Sequence, residues 1–251
     1  MKKISIIIIS AVLIMAAVLY VSSAGFIDVP EYAYYAEAAA RMNEKGILTG
    51  YGDNCYNGDD NITRAQMAVV AVRLLGKEGE AKRMTGATVF DDFDDSLDWA
   101  TGYVNYASGA KIINGDGDGT YRPNDSVKYE EVIKIIVCVL GLDDGVTIDP
   151  ADWSKEYIEV ADKAGLLEGL IGKKGEPMKR SDIAIICDAS VDVLEKRVSA
   201  VTAEATTEKP KVTATGTTAV EEGGEVVEET TTFSELDLPP YTPGPNELPE
   251  E

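Results

Sequence analysis

The chain has 251 residues, with 44 acidic side chains against 23 basic ones and no histidine. So strong a negative charge excludes nucleic acid and anionic membrane surfaces as partners of the chain as a whole, because both would repel it. With no histidine and no CxxC spacing, zinc sites, His-based triads and metalloprotease patterns are excluded as well, so no catalytic residue, metal or cofactor is expected.

Met1-Lys2-Lys3, an apolar run from Ile4 to Tyr20 and the small residues Ser22-Ser23-Ala24 follow the order of a secretory signal peptide. Cleavage after Ala24 would make Gly25 the new N-terminus and remove the only segment apolar enough to enter a bilayer, so the mature protein is not expected to be integral to the membrane. The alternative is an uncleaved anchor, since the run approaches the roughly 20 residues that a spanning helix needs.

Beyond this segment the chain repeats itself. Tyr34, Trp99 and Trp153 each open a helical stretch; twelve residues on stand Gly46, Lys111 and Gly165, and four further on Gly50, Gly115 and Gly169. Tyr34 to Lys45 carries no helix breaker, and Gly46 is placed for the left-handed turn that ends a helix. A loop then leads to Ile62-Thr63-Arg64-Ala65-Gln66 and a second apolar helix, and Thr63 with Gln66 has the spacing of a capping box. The second copy has the loop Gly115 to Asn124 and a helix from about Lys128 to Leu140. The third has a shorter loop, Gly169 to Pro177, before Met178-Lys179-Arg180-Ser181-Asp182. One such pair of helices cannot bury its apolar face alone, so the three copies should share a core. The expected segments are 1–24, 25–80, 81–145, 146–198 and a tail from 199 to 251, whose Thr, Glu and Pro composition predicts disorder.

Other features carry structural expectations. Cys138 and Cys187 lie in apolar helical runs and read as packing residues. Asn114, Asp116, Asp118, Gly119 and Asp125 fit part of a calcium-loop pattern, but Pro123 and the short Asp125 favour a turn. The acidic run at 91–95 reads as a helix cap. Trp99, Trp153 and Tyr34 sit at a repeated helix-start position, where core packing is expected over a sugar-stacking role.

Phe26-Ile27-Asp28-Val29, the Trp-led helices, Gly119-Thr120-Tyr121-Arg122-Pro123-Asn124 and Ile62-Thr63-Arg64-Ala65-Gln66, repeated at about 54 to 65 residues, resemble the S-layer homology (SLH) motif. The resemblance implies an all-helical, pseudo-threefold spindle of three motifs, the third degenerate. It also implies a non-catalytic role at the extracellular surface, holding a protein to an anionic secondary cell-wall polymer, often through a pyruvate-ketal sugar. The family's groove arginine falls on Arg64 and Arg180. The second copy departs, with Lys128 and Tyr129 where Thr63 and Arg64 stand in the first, and the shorter loop before Arg180 is expected to weaken that pocket.

The residue types point the same way independently. Arg64, Lys128, Lys179 and Arg180 stand at helix starts, where the helix dipole disfavours a cation, and an anion bound there would remove the conflict. The alternative is a set of surface charges paired with nearby acids. Thr63, Arg64, Lys128, Tyr129, Lys179 and Arg180 are therefore the candidate ligand-binding residues, and substitution of Arg64 is expected to leave folding almost unchanged. An envelope module that docks an exported protein partner is the competing reading.

Overall fold

The computed structural model describes residues 25–207. The signal segment and the greater part of the tail lie outside them. Its helices are α1 (Ala36–Glu44), α2 (Arg64–Leu74), a short α3 (Glu78–Ala81), α4 (Asp98–Gly109), α5 (Tyr129–Val139), α6 (Lys155–Lys163) and α7 (Arg180–Thr207); no β-strand occurs among the described residues. Three helix-loop-helix units result: α1 with α2, α4 with α5, and α6 with α7. Among the described residues no helix is long and apolar enough to cross a membrane.

Local chemistry accounts for the ends of these elements. Thr63 Oγ1 accepts from the Gln66 amide while Gln66 Oε1 accepts from the Thr63 amide, so α2 begins with two of its free N–H groups satisfied. The turn after the first helix of each unit is left-handed, at Gly46 (φ 67°), Lys111 (φ 59°) and Gly165 (φ 74°). Glycine adopts this conformation freely, whereas Lys111 holds it against its own Cβ. In the acidic run, Asp94 caps the 3-10 turn Asp95–Leu97 by accepting from the Ser96 amide at 2.9 Å. Asp92 does something else, accepting from the amides of Tyr121 and Arg122 to fix the loop of its unit. Asp28 does the same for Tyr56 and Asn57.

The units interlock in a ring. The second helix of each unit packs on the first helix of the next: α2 on α4, α5 on α6, and α7 back on α1. At the centre the segments that enter the second helices pair with one another, through isolated bridges joining Thr63 to Ser126, Lys128 to Pro177 and Lys179 to Asn61. Ile62, Val127 and Met178, one from each unit, are buried there. The Val127 amide donates to Ile62 and the Met178 amide to Val127, each at 3.0 Å. Arg41 closes the ring from the first unit to the last by pairing with Asp188 and Asp192 of α7 at 3.0 and 2.7 Å.

Ile133 and Ile136 of α5 and Ile183 and Ile186 of α7 are fully buried, each contributing about 1.5–3 kcal/mol of apolar burial. The cysteines behave as packing residues: Cys187 is buried and Cys138 half-buried, and burial pushes the two thiols up to about 12 and about 11. Helix α7 runs to Thr207, past residue 199 where the tail was expected to begin, because no glycine or proline interrupts the chain before Pro210.

Candidate functional site

Each arginine at a helix start lies across the loop of another unit. Arg64 opens α2 in the first unit, but its Nε donates to the Tyr121 carbonyl at 2.7 Å and its Nη2 to that of Asn114 at 3.2 Å, both in the loop of the second. Arg180 opens α7 in the third unit and reaches the loop of the first, donating from Nε to Tyr56 and from Nη2 to Thr49, each at 2.9 Å. Both guanidinium groups also lie over the ring of the loop tyrosine, 4.7 Å from the centroid of Tyr121 and 4.8 Å from that of Tyr56. Burial raises both phenols well above the ordinary tyrosine range.

Each arginine lines a cleft. The first, about 430 Å³, is bounded by Arg180, Thr49, Gln66, Arg73 and, from α4 of the second unit, Trp99 and Tyr103. The second, about 580 Å³, is bounded by Arg64, Asn114, Glu131, Lys134 and, from the third unit, Trp153 just before α6 and Tyr157 within it. The two are built alike: an arginine from the unit before, a glycine-containing loop and second helix from the central unit, a tryptophan from the unit after. Arg64 and Arg180 are only 8% and 5% exposed, whereas Trp99 and Trp153 are 51% and 42% exposed. The expectation of a core position for these tryptophans is thus corrected: the helix start that carries them forms a cleft wall, and about half of each residue stays open to solvent. Tyr34, at the equivalent position in the first unit, is also half-exposed.

The third position in the ring is filled. Asp182, which corresponds to Gln66 and Glu131, is buried and accepts from the Gly172 amide at 2.7 Å and from the Tyr34 hydroxyl at 3.2 Å. Tyr129, in the arginine position, packs on Gly172, where an added Cβ would lie 3.3 Å from the Tyr129 ring.

The six candidate residues therefore separate. Arg64 and Lys128 come together in the second cleft, and Arg180 lies in the first. Thr63 caps its helix, and Lys179 pairs with Asp59 at 2.8 Å. The expectation that the shorter loop before Arg180 would weaken its pocket is corrected, because that pocket takes its loop from the first unit rather than the third. Residues not anticipated as cleft-lining include Glu131, whose carboxylate pairs with Arg64 Nη1, and Lys134, whose Nζ donates to the Ile112 carbonyl at 2.7 Å. Burial lowers the Lys134 pKa. Gln66 was anticipated only as a capping residue, although its spacing from Ile62 matches that of Glu131 from Val127.

The loop at 114–125 acts as a turn: Asp118 accepts from the Thr120 amide and hydroxyl, and Asp116 pairs with Arg122 at 2.6 Å. The Arg122 hydrogen bond holds the Asp116 carboxyl below its ordinary range.

The fold and its clefts define a class of protein: a spindle of cyclically interlocked helical repeats that presents arginine-floored clefts between neighbouring repeats. Residues 25–68 and 89–133 match the S-layer homology domain, so the chain is an S-layer homology domain protein in which two repeats carry the family pattern. It is 32% identical over 178 residues to a cell surface protein of Thermoanaerobacter kivui, covering 70% of this chain and 22% of that protein. A middle cell wall protein of Brevibacillus brevis is 32% identical over 158 residues, covering 62% and 14% of the two chains. A cellulosome-anchoring protein of Acetivibrio thermocellus is 25% identical over 159 residues, covering 58% and 35%. The chain thus spans about a third or less of the length of these relatives. Family and relatives alike point to the cell surface.

Proposed function

We propose that this chain attaches a protein to the cell wall by binding an anionic glycopolymer, of which a pyruvate-ketal sugar is the specific candidate, without catalysing a reaction. The observation that carries this reading is the pairing, in each of two clefts, of a buried guanidinium with a half-exposed indole. A guanidinium fork suits a carboxylate, and an indole face suits the apolar face of a sugar ring. A non-catalytic role is supported by the cleft carboxylates, which are already committed: Glu131 to Arg64, Asp116 to Arg122 and Glu130 to the Gly175 amide. Residues 146–198 are read as a third, degenerate repeat, since α6 and α7 close the ring and Met178 stands beside Ile62 and Val127 at its centre.

The test is binding to purified cell walls, before and after protease treatment of the walls. A protein carrying both Trp99→Ala and Trp153→Ala should lose at least about tenfold in affinity, equivalent to about 1.4 kcal/mol, while melting within a few degrees of the parent. Unchanged binding would reject the clefts as the site, and binding that disappears with protease treatment would favour a protein partner.

A further inference from the structure

Trp99 borders more than the first cleft. A separate cavity of about 350 Å³ opens beside it, lined by Lys82, Met84 and Thr85, which follow α3, and by Asp98, Trp99 and Tyr103 of α4. Lys82, Trp99 and Tyr103 line the first cleft as well, so the two spaces adjoin. The wall of this cavity comes from extra chain, for Tyr34 and Trp99 stand 65 residues apart in sequence and Trp99 and Trp153 only 54. The longer connection carries α3, whereas no helix lies between α5 and α6. That wall is held firmly. A Cβ at Gly102 would lie 2.3 Å from the Ala81 carbonyl oxygen, so α3 meets the backbone of α4 with no side chain between them. The Met84 amide donates to the Ala81 carbonyl at 2.9 Å, and Asn105 of α4 donates to the Gly86 carbonyl at 3.0 Å.

The polar groups here differ from those of the first cleft. Lys82 is already paired with Glu78 at 3.1 Å. The Asp98 carboxylate is exposed in the first turn of α4, where the helix dipole favours an acid. Neither it nor the Thr85 hydroxyl has a hydrogen-bond or ion-pair partner among the described residues. Met84 is half-exposed beside them.

We infer that this cavity is a second sugar subsite, which receives an uncharged, hydroxyl-bearing neighbour of the anionic sugar held at Arg180. This rests on the anionic-glycopolymer reading above. A free carboxylate accepts from sugar hydroxyls and repels a second anion, so Asp98 selects against a charged neighbour. Trp99 and Met84 supply apolar surface for the ring. A sugar linked to one already bound makes these contacts without a second association cost. The connection before Trp153 carries no equivalent of α3, so the extension belongs to the first cleft.

The test uses the chain over residues 25–251 with Trp153→Ala throughout, so that calorimetric titrations report the first cleft. The probes are the anionic sugar alone and the same sugar linked to its uncharged neighbour, both isolated by size and charge from a digest of the source organism's purified wall polymer. The linked fragment should bind at least about tenfold more tightly than the single sugar. Met84→Ala with Asp98→Ala should abolish that margin and leave affinity for the single sugar within about twofold. Thr85→Trp, which fills the cavity from an exposed position, should do the same. Equal affinity for the two probes before these substitutions, a margin that survives them in a folded protein, or a polymer without uncharged sugars would overturn the inference and leave the anionic-glycopolymer reading standing. If neither probe binds, with or without Trp153→Ala, that reading falls and the inference with it.

Discussion

Tyr56 and Arg180 hold each other twice, for the phenol donates to the Arg180 carbonyl at 2.9 Å and Arg180 Nε donates to the Tyr56 carbonyl at the same distance. Tyr121 and Arg64 repeat the arrangement at 2.9 and 2.7 Å. Each pair clamps the loop of one unit to the first turn of a helix in another, so the residue that floors the cleft also ties the ring together. Tyr56→Phe removes one half of a clamp while the Arg180 carbonyl keeps its place in the first turn of α7, a loss of about 0.5–1.5 kcal/mol. Urea unfolding should show this as a lower midpoint with an unchanged slope; an unchanged midpoint would contradict the clamp.

Arg64→Ala should destabilise the fold, contrary to the expectation that folding would be indifferent to it. The change strips a donor from the carbonyls of Tyr121 and Asn114 and leaves Glu131 without its cation, together costing about 2–4 kcal/mol. Thermal melts of this variant are needed beside any binding measurement, since lost binding alone would confuse a missing contact with a loosened cleft.

Gly50 and Gly115 are required for different neighbours of the same kind. A Cβ at Gly50 would come within 2.2 Å of the Phe26 ring, and one at Gly115 within 2.5 Å of the Phe90 ring, whereas a Cβ at Gly52 meets nothing within 4 Å. Gly50→Ala and Gly115→Ala should each cost about 1–3 kcal/mol by overpacking, with Gly52→Ala close to neutral. Equal melting of all three would show that the phenylalanine rings yield freely.

Lys111 occupies a left-handed turn that Gly46 and Gly165 occupy in the other units. Lys111→Gly should relieve this strain, offset in part by the greater freedom of glycine in the unfolded chain, for a net gain of up to about 1 kcal/mol. Denaturant unfolding at neutral pH checks the sign, and a lower midpoint would count against it.

Glu78 joins α3 to α4 by accepting from the Tyr103 hydroxyl at 2.6 Å, with Lys82 and Arg73 alongside at 3.1 and 3.2 Å. The Tyr103 hydrogen bond, followed by the lysine and arginine, pushes its carboxyl down to about 2 from near 4.5. A carboxyl lowered in the fold stabilises it above its unfolded value and ceases to do so as pH falls from about 4.5 toward 2. Because the side chain is about a third exposed, solvent screening reduces the effect to the order of 1 kcal/mol. Glu78→Gln should flatten the loss of stability over that pH interval, and identical acid profiles of parent and variant would refute the assignment.

Much of this protein is legible along the chain because its determinants are local. The capping box of Thr63 and Gln66, the left-handed turns at Gly46 and Gly165 and the aliphatic faces of α2, α5 and α7 act within a few residues, so spacing alone announces them and the all-helical repeat follows. The clefts are decided elsewhere. Arg180 finds its pocket in Thr49 and Tyr56, more than a hundred positions away, because α7 returns to α1 and closes the ring. Trp99 and Trp153 occupy the helix-start position read as core, and whether an indole there is buried or open depends on the loop that faces it from the neighbouring unit. Glu131 and Gln66 look like interchangeable caps in sequence, and one becomes the partner of an arginine only when two units meet. A helix cap is settled by backbone groups one turn away, but charge pairing and exposure are settled by what the packing of distant segments places alongside.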